Sequence, residues 1–170
     1  MAEEEQLQVL LARVEAATEP DVMLDRAIYE CLRPVVTPDE HKAMYDRGEI
    51  EAYWFWMSSL DYTRFIDMAV KLLKFSLPGW GWRGGTCCVS DDCFIFPDYN
   101  DPEHGERLLR EFPRLPDGRE WADITDIDRR PSGNVPLAII ESILTALIEI
   151  ERENHGPGGN DTEQAKAAAG

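Results

Sequence analysis

Basic residues are scarce in this sequence of 170 residues. The chain has 17 Lys and Arg against 33 Asp and Glu, which gives a net charge of −16. Phosphate backbones and anionic membranes repel a domain this negative, so we expect neither a nucleic acid nor a membrane as its partner. Two explanations of the acidic surface stay open: it keeps the protein soluble, or it meets a basic partner, as DNA-mimicking proteins do.

Long apolar runs are also missing. No stretch approaches the roughly 18 consecutive apolar residues that a membrane span needs. The first residues, Met-Ala-Glu-Glu-Glu, have the opposite charge to the start of a signal peptide. We therefore expect a cytoplasmic protein. With 44% hydrophobic residues, the chain has enough apolar side chains for a folded core.

Cysteine and histidine are few, with four and three residues respectively. In a cytoplasmic protein the cysteines are expected to stay reduced. Cys87, Cys88, Cys93 and His104 form one possible set of metal ligands. Structural zinc sites usually use a Cys-x-x-Cys pair, whereas the adjacent Cys87 and Cys88 would point to opposite faces of a strand. The sequence therefore predicts no metal site and no cofactor, with these four residues as weak candidates.

No segment has the pattern of a catalytic site. Cys93 stands close to Asp91 and Asp92, whose negative charges raise the pKa of a thiol, whereas a catalytic cysteine needs a lowered pKa. The glycines of residues 79–85 are followed neither by a helix start nor by the Lys-Ser or Lys-Thr pair of a phosphate loop. We therefore predict no catalytic residue and a non-enzymatic protein.

Helical periodicity divides the single predicted domain, residues 1–153, into a helical N-terminal part over 2–50 and a helix–sheet–helix core over 59–153. The first helix is expected over residues 2–17. Its apolar positions have the i, i+3, i+4, i+7 spacing of one helix face: Leu7, Leu10, Leu11 and Val14. Residues 154–170 are rich in glycine and alanine, and we expect a disordered tail there.

Two helices are predicted to enclose the core. One runs from residue 59 or 61 to about residue 75, with Phe65 and Ile66 among its buried side chains. The other is the long C-terminal helix, for which Asn134 is the predicted N-cap.

The pattern changes from helical to alternating between residues 78 and 98. Trp80 and Trp82 alternate with smaller or polar residues, as in a half-buried strand. Gly84-Gly85 predicts a hairpin turn, which would be followed by a second strand over 86–89, a turn at Asp91-Asp92 and a third strand over 93–96. A fourth strand is expected over residues 121–127.

Together these elements predict an α+β fold. A short antiparallel sheet of three to four strands would be packed between helices, in an α-β-α sandwich-like arrangement. The N-terminal helices would lie outside it, and the long C-terminal helix would cover it.

The tryptophans are the main non-catalytic feature of the sequence. Trp54, Trp56, Trp80 and Trp82 are able to stack on a planar ligand or anchor a partner, and Arg83 stands next to them to meet an anion. The alternative is that the tryptophans fill the space between the helices and the sheet. These five residues are the candidate binding residues.

Several short motifs resemble the phage ABA-sandwich domain family. They are the opening Leu-Leu-Ala-Arg-Val-Glu-Ala-Ala-Thr of residues 10–18, a helix with Tyr62 and Asp67, the turn Pro78-Gly79-Trp80, and a last helix that begins Pro136-Leu137-Ala138. The resemblance implies phage or prophage origin and a sheet sandwiched between helical layers. It implies no activity, because the family has none established.

We therefore predict an accessory protein of phage or prophage origin that acts in the host cytoplasm. It would be a binding module that engages a host protein or a small-molecule ligand, and counter-defence by inhibition or sequestration suits its size and charge. The alternative is a structural or assembly component of the phage particle, and a metal- or thiol-dependent enzyme is the third hypothesis. The oligomeric state stays open.

Overall fold

The computed structural model describes residues 2–32, 46–47, 61–86, 91–113, 115, 118–129 and 134–155. Its elements, in chain order, are α1 (Ala2–Ala16), α2 (Val22–Leu32), α3 (Ile66–Ser76), β1 (Trp80–Thr86), β2 (Asp91–Pro97), α4 (Gly105–Glu111), α5 (Trp121–Ile124), β3 (Ile127–Arg129) and α6 (Val135–His155). The combination of helices with an antiparallel sheet confirms the predicted α+β class.

Helix α6 is the centre of the described structure. Its first residues, 135–140, are buried without interruption, which means that this part of the helix has no solvent-facing side. Helices α1 and α3 pack on it, and so does the sheet. The predicted cap is confirmed, because Asn134 Oδ1 accepts a hydrogen bond of 2.9 Å from the backbone N–H of Leu137.

The N-terminal helix forms where its periodicity predicted it. The side chains of Leu7, Leu10 and Val14 are buried, and Leu11 packs against the same core at its edge. Because α1 contacts α6, this apolar stripe joins the two ends of the described chain.

Helix α3 begins later than predicted, at Ile66 rather than at residue 59 or 61. Residues 61–65 form a turn in which the N–H groups of Arg64 and Phe65 both donate to the carbonyl oxygen of Asp61. The predicted burial of Phe65 and Ile66 is wrong, since they are 50% and 41% exposed. Because the helix starts late, both side chains lie at its exposed N-terminus, whereas Leu72 and Leu73 face the core.

The hairpin prediction at Gly84-Gly85 is wrong. Both glycines lie within β1, where Gly84 is opposite Cys93 and Gly85 is opposite Asp92. A Cβ atom on Gly84 would clash with the carbonyl oxygen of Asp92 and would lie 2.8 Å from the Cα atom of Cys93. Glycine is therefore required there by the close approach of β2, not by a turn. The predicted turn at Asp91-Asp92 is likewise part of a strand, β2.

The strand predicted within residues 121–127 is also different. Trp121–Ile124 is a helical turn, and the strand is the short β3, which begins only at Ile127. β3 pairs antiparallel with the start of β2, with Ile127 opposite Cys93, so β2 is the middle strand of the order β1-β2-β3.

Several predicted features lie outside the described residues. These are the candidate binding residues Trp54 and Trp56, the pair Cys87 and Cys88, and nearly all of the C-terminal tail. Among the helices that the structure describes, none is long and apolar enough to cross a membrane.

Candidate functional site

The β1–β2 pair has two chemically different faces. Side chains that are opposite one another in an antiparallel pair lie on the same face, so Trp80 and Trp82 share a face with Ile95 and Cys93. Ile95 and Cys93 are fully buried, which identifies this inner face as the one against the core. The outer face carries three larger side chains: Arg83, Phe94 and Phe96.

Trp80 belongs to the core and is not accessible to a ligand. Its side chain is 4% exposed. Its ring packs edge to face against Phe112 and Trp121, with centroid distances of 5.4 Å and 5.3 Å. Trp82 lies on the same inner face and is half-buried against the core. The structure therefore separates these two tryptophans from Arg83, although the sequence had placed all three in one candidate site.

The outer face borders an open cleft of about 350 Å³. The rings of Phe94 and Phe96 lie on one side of it, with their centroids 6.0 Å apart and their planes inclined by 44°. Both rings are only partly buried. The segment after β2 and the start of α5 complete the cleft, and its main lining residues are Arg83, Phe94, Phe96, Tyr99, Glu120 and Trp121.

Arg83 supplies the positive charge of this cleft. Its guanidinium carbon is 5.7 Å from the centroid of the Phe96 ring, the distance of a cation–π contact. Within the described ranges Arg83 forms no salt bridge. By contrast, Arg26, Arg107 and Arg152 each pair with a glutamate. The exposed Arg83 therefore offers unused donors in an otherwise acidic protein.

Local hydrogen bonds hold the cleft walls in place. The Tyr99 hydroxyl donates to the carbonyl oxygen of Phe112 over 2.8 Å, which ties the segment after β2 to the end of α4. Glu120 and Asp123 form a capping box at the start of α5, in which the Glu120 N–H donates to Asp123 Oδ2 over 2.8 Å. On the same rim, Asp98 Oδ1 accepts from the N–H of Asn100 over 3.0 Å. The carboxylates of Asp98 and Asp123 thus accept hydrogen bonds from backbone N–H groups near the cleft.

The two described members of the possible metal set lie apart. Cys93 is opposite Gly84, whereas His104 packs on Gly79, five residues earlier in the chain. Five residues of extended chain span roughly 16 Å. Cys93 and His104 therefore do not share one ion. In the part of the chain with described coordinates, no group of three or more His, Cys, Asp or Glu side chains is arranged to hold a metal.

Cys93 lacks the environment of a reactive thiol. It is fully buried on the inner face. Burial raises its pKa to about 12, and the charges of Asp92 and Asp126 act in the same direction, against a hydrogen bond with Ser142. A thiol held in this protonated state is a poor nucleophile.

Phe94 and Phe96 were not among the residues that the sequence singled out. The signal was present, because Asp92, Phe94 and Phe96 occupy alternate positions of one short segment and hence one face of a strand. The run of apolar residues 93–96 concealed it, since such a run is also typical of a strand buried on both sides.

Comparison with protein-family models, with curated proteins and with solved structures found no match.

Proposed function

We propose that this protein is a non-enzymatic binding module whose binding site is the outer-face cleft. The observation that carries the proposal is the position of Arg83, which rests on Phe96 without a carboxylate partner in the described chain. In a protein of net charge −16, a cation that has no salt bridge among the described residues and lies next to two partly exposed aromatic rings is available to a ligand.

The size and the support of the cleft favour a small-molecule ligand. Its volume of about 350 Å³ is within the range of small-molecule sites. Its aromatic wall stands on a paired strand: β1 pairs along the whole of β2, and β3 pairs with its first three residues. A site on such a rigid element is preformed, so binding loses little conformational entropy.

A protein-observed NMR screen with small aromatic fragments tests the proposal. We expect amide shifts concentrated at residues 83, 94, 96 and 99, and we expect Phe94→Ser to weaken them. Leu109→Ser is the matched control, since Leu109 is an apolar side chain that is 61% exposed on α4 and does not line the cleft. Absence of shifts, or shifts that Phe94→Ser leaves unchanged, would contradict the proposal.

The family resemblance extends the proposal to the biological setting. A protein related to the phage ABA-sandwich domain family would act in the host cytoplasm as a phage or prophage accessory protein. A sheet of three to four strands between helical layers is part of the same proposal. A pull-down from host lysate with the wild type and the Phe94→Ser variant tests for a host protein at the same site. Equal recovery by the two baits would place any partner elsewhere.

A role in assembly of the phage particle is the second candidate function. It is favoured by four large apolar side chains at the starts of α2 and α3 that are between 41% and 68% exposed: Val22, Met23, Phe65 and Ile66. A hydrogen bond of 3.0 Å from the N–H of Asp21 to Thr63 Oγ1 joins the two helix starts. Such an apolar patch is typical of a protein interface. Size-exclusion chromatography with light scattering tests it, because an assembly component should self-associate and Met23→Glu should prevent this.

A further inference from the structure

The outer-face cleft also indicates the chemical class of its ligand. Building on the proposed function, we infer that the cleft binds a planar aromatic molecule with a single carboxylate, its ring against Phe94 and Phe96 and its carboxylate on Arg83. The inference depends on three features of the site: the free edge of the guanidinium, the angle between the two rings, and the charge of the surroundings.

The guanidinium of Arg83 keeps its N–H donors available for a carboxylate. A guanidinium is planar, and its N–H donors all point outward in that plane. Arg83 contacts the Phe96 ring, with its guanidinium carbon 5.7 Å from the ring centroid. This contact holds the side chain in place and uses none of its N–H donors. A carboxylate is the ligand group that accepts two parallel N–H donors of arginine at once.

The aromatic part of the ligand follows from the two phenylalanines. Their planes are inclined by 44° with centroids 6.0 Å apart, so they form a shallow angle rather than a closed stack. A flat ring that enters this angle gains an offset or edge-to-face contact with both rings. Neither phenylalanine has to leave its position on β2.

The surroundings limit the ligand to one negative charge. The chain as a whole carries −16, and Asp98 and Glu120 lie on the rim of the same cleft. One arginine compensates one carboxylate at close range, whereas a second negative charge would meet only these like charges. We therefore exclude phosphorylated ligands such as nucleotides from the class.

Isothermal titration calorimetry with 1-naphthoate and 1-naphthamide tests the inference. The two probes have nearly the same shape and differ in charge. We expect the wild type to bind 1-naphthoate at least roughly tenfold more tightly than 1-naphthamide, which is the contribution expected of a charge-assisted hydrogen bond. In Arg83→Gln the two affinities should become similar. Arg26→Gln changes the net charge equally at an exposed position of α2 and should keep the wild-type preference.

The outcomes separate this inference from the proposed function. If both probes bind with equal affinity and Phe94→Ser weakens both, the cleft is a binding site but the carboxylate class is wrong. If neither probe binds, the inference and the small-molecule function fail together. If Arg26→Gln reduces the preference as much as Arg83→Gln does, net charge rather than Arg83 causes it, and the inference is overturned.

Discussion

The hydroxyl of Thr125 takes the place of a backbone strand partner for Ile95. The N–H of Ile95 donates to Thr125 Oγ1 over 3.0 Å, and that hydroxyl donates to the carbonyl oxygen of Ile95 over 2.6 Å. Both residues are fully buried. β3 pairs with β2 only as far as Ile127 and Cys93, so Thr125 satisfies the next backbone groups of β2 where β3 is missing.

Substitution of Thr125 by valine should therefore destabilise the fold more than the small change in side-chain size suggests. Valine has the same shape but leaves the N–H and the carbonyl of Ile95 buried without a partner. We expect Thr125→Val to lower the free energy of unfolding by about 2–3 kcal/mol. Thr125→Ser keeps the hydroxyl and should lose about 1 kcal/mol for the missing methyl group. Urea denaturation measures both, and an equal or smaller loss for valine would contradict the role of the hydroxyl.

Two glycines of β1, one on each side of Arg83 in the strand, give a second prediction. An added Cβ on Gly84 would meet the backbone of β2, 2.8 Å from the Cα atom of Cys93, whereas on Gly81 it would meet the movable ring of Phe96 at 3.0 Å. We expect Gly84→Ala to lower the free energy of unfolding by about 1–3 kcal/mol and Gly81→Ala to lower it by less than about 1 kcal/mol. Thermal and urea denaturation test this. Equal stability of the two variants would favour the hairpin turn over the strand at Gly84.

These contacts explain which parts of the fold were predictable. The apolar stripe of α1 and the Asn134 cap depend on residues within a few positions of each other, and both were predicted from the sequence. The extent of β1 depends on the backbone of β2, and the start of β3 depends on the contact of Thr125 with a residue 30 positions earlier. Contacts at that separation leave no periodicity in the sequence.

In the candidate site, too, local features were predictable from the sequence and contacts between distant residues were not. Arg83 was chosen as a candidate because it directly follows Trp82, and this adjacency is visible in the sequence. The aromatic part of the site was expected to consist of tryptophans, whereas the ring beside Arg83 is that of Phe96, which β2 brings to the same face. Which tryptophan is buried depended on Phe112 and Trp121, which are distant in the chain.

Cys93 and Cys31 should react with iodoacetamide at different rates. Cys93 is fully buried with its pKa raised to about 12, whereas Cys31 is only partly buried on α2. We expect alkylation of Cys93 in the native protein to be at least roughly 100-fold slower than alkylation of Cys31, because it requires an opening of the sheet. Peptide mass mapping after timed labelling assigns the rate to each residue. Faster labelling of Cys93 would instead support the thiol-dependent enzyme.

Asp25 is a buried carboxyl group that fixes the turn before α3. It is 2% exposed, and its Oδ1 accepts a hydrogen bond of 2.8 Å from the N–H of Thr63. The Thr63 carbonyl oxygen in turn accepts from Asn134 Nδ2 over 3.4 Å, so this turn connects α2 to the start of α6. Burial raises the pKa of Asp25 to about 6 from 3.8, and the hydrogen bonds with Thr63 offset only part of that rise.

The raised pKa predicts that Asp25 makes the fold less stable as the pH increases. The folded state holds the proton more tightly than the unfolded chain, so the contribution of Asp25 is fully present below pH 4 and is lost as the pH rises through 6. An asparagine at this position would be neutral at every pH and keep an oxygen for Thr63. We expect Asp25→Asn to gain about 1–2 kcal/mol relative to the wild type between pH 4 and pH 7, less than the full equivalent of the shift because burying the asparagine amide also costs free energy. Urea denaturation across this range measures it, with Glu19→Gln on an exposed loop as the control for net charge. A stability difference that does not change with pH, or the same trend in Glu19→Gln, would show that Asp25 titrates like a solvated carboxylate.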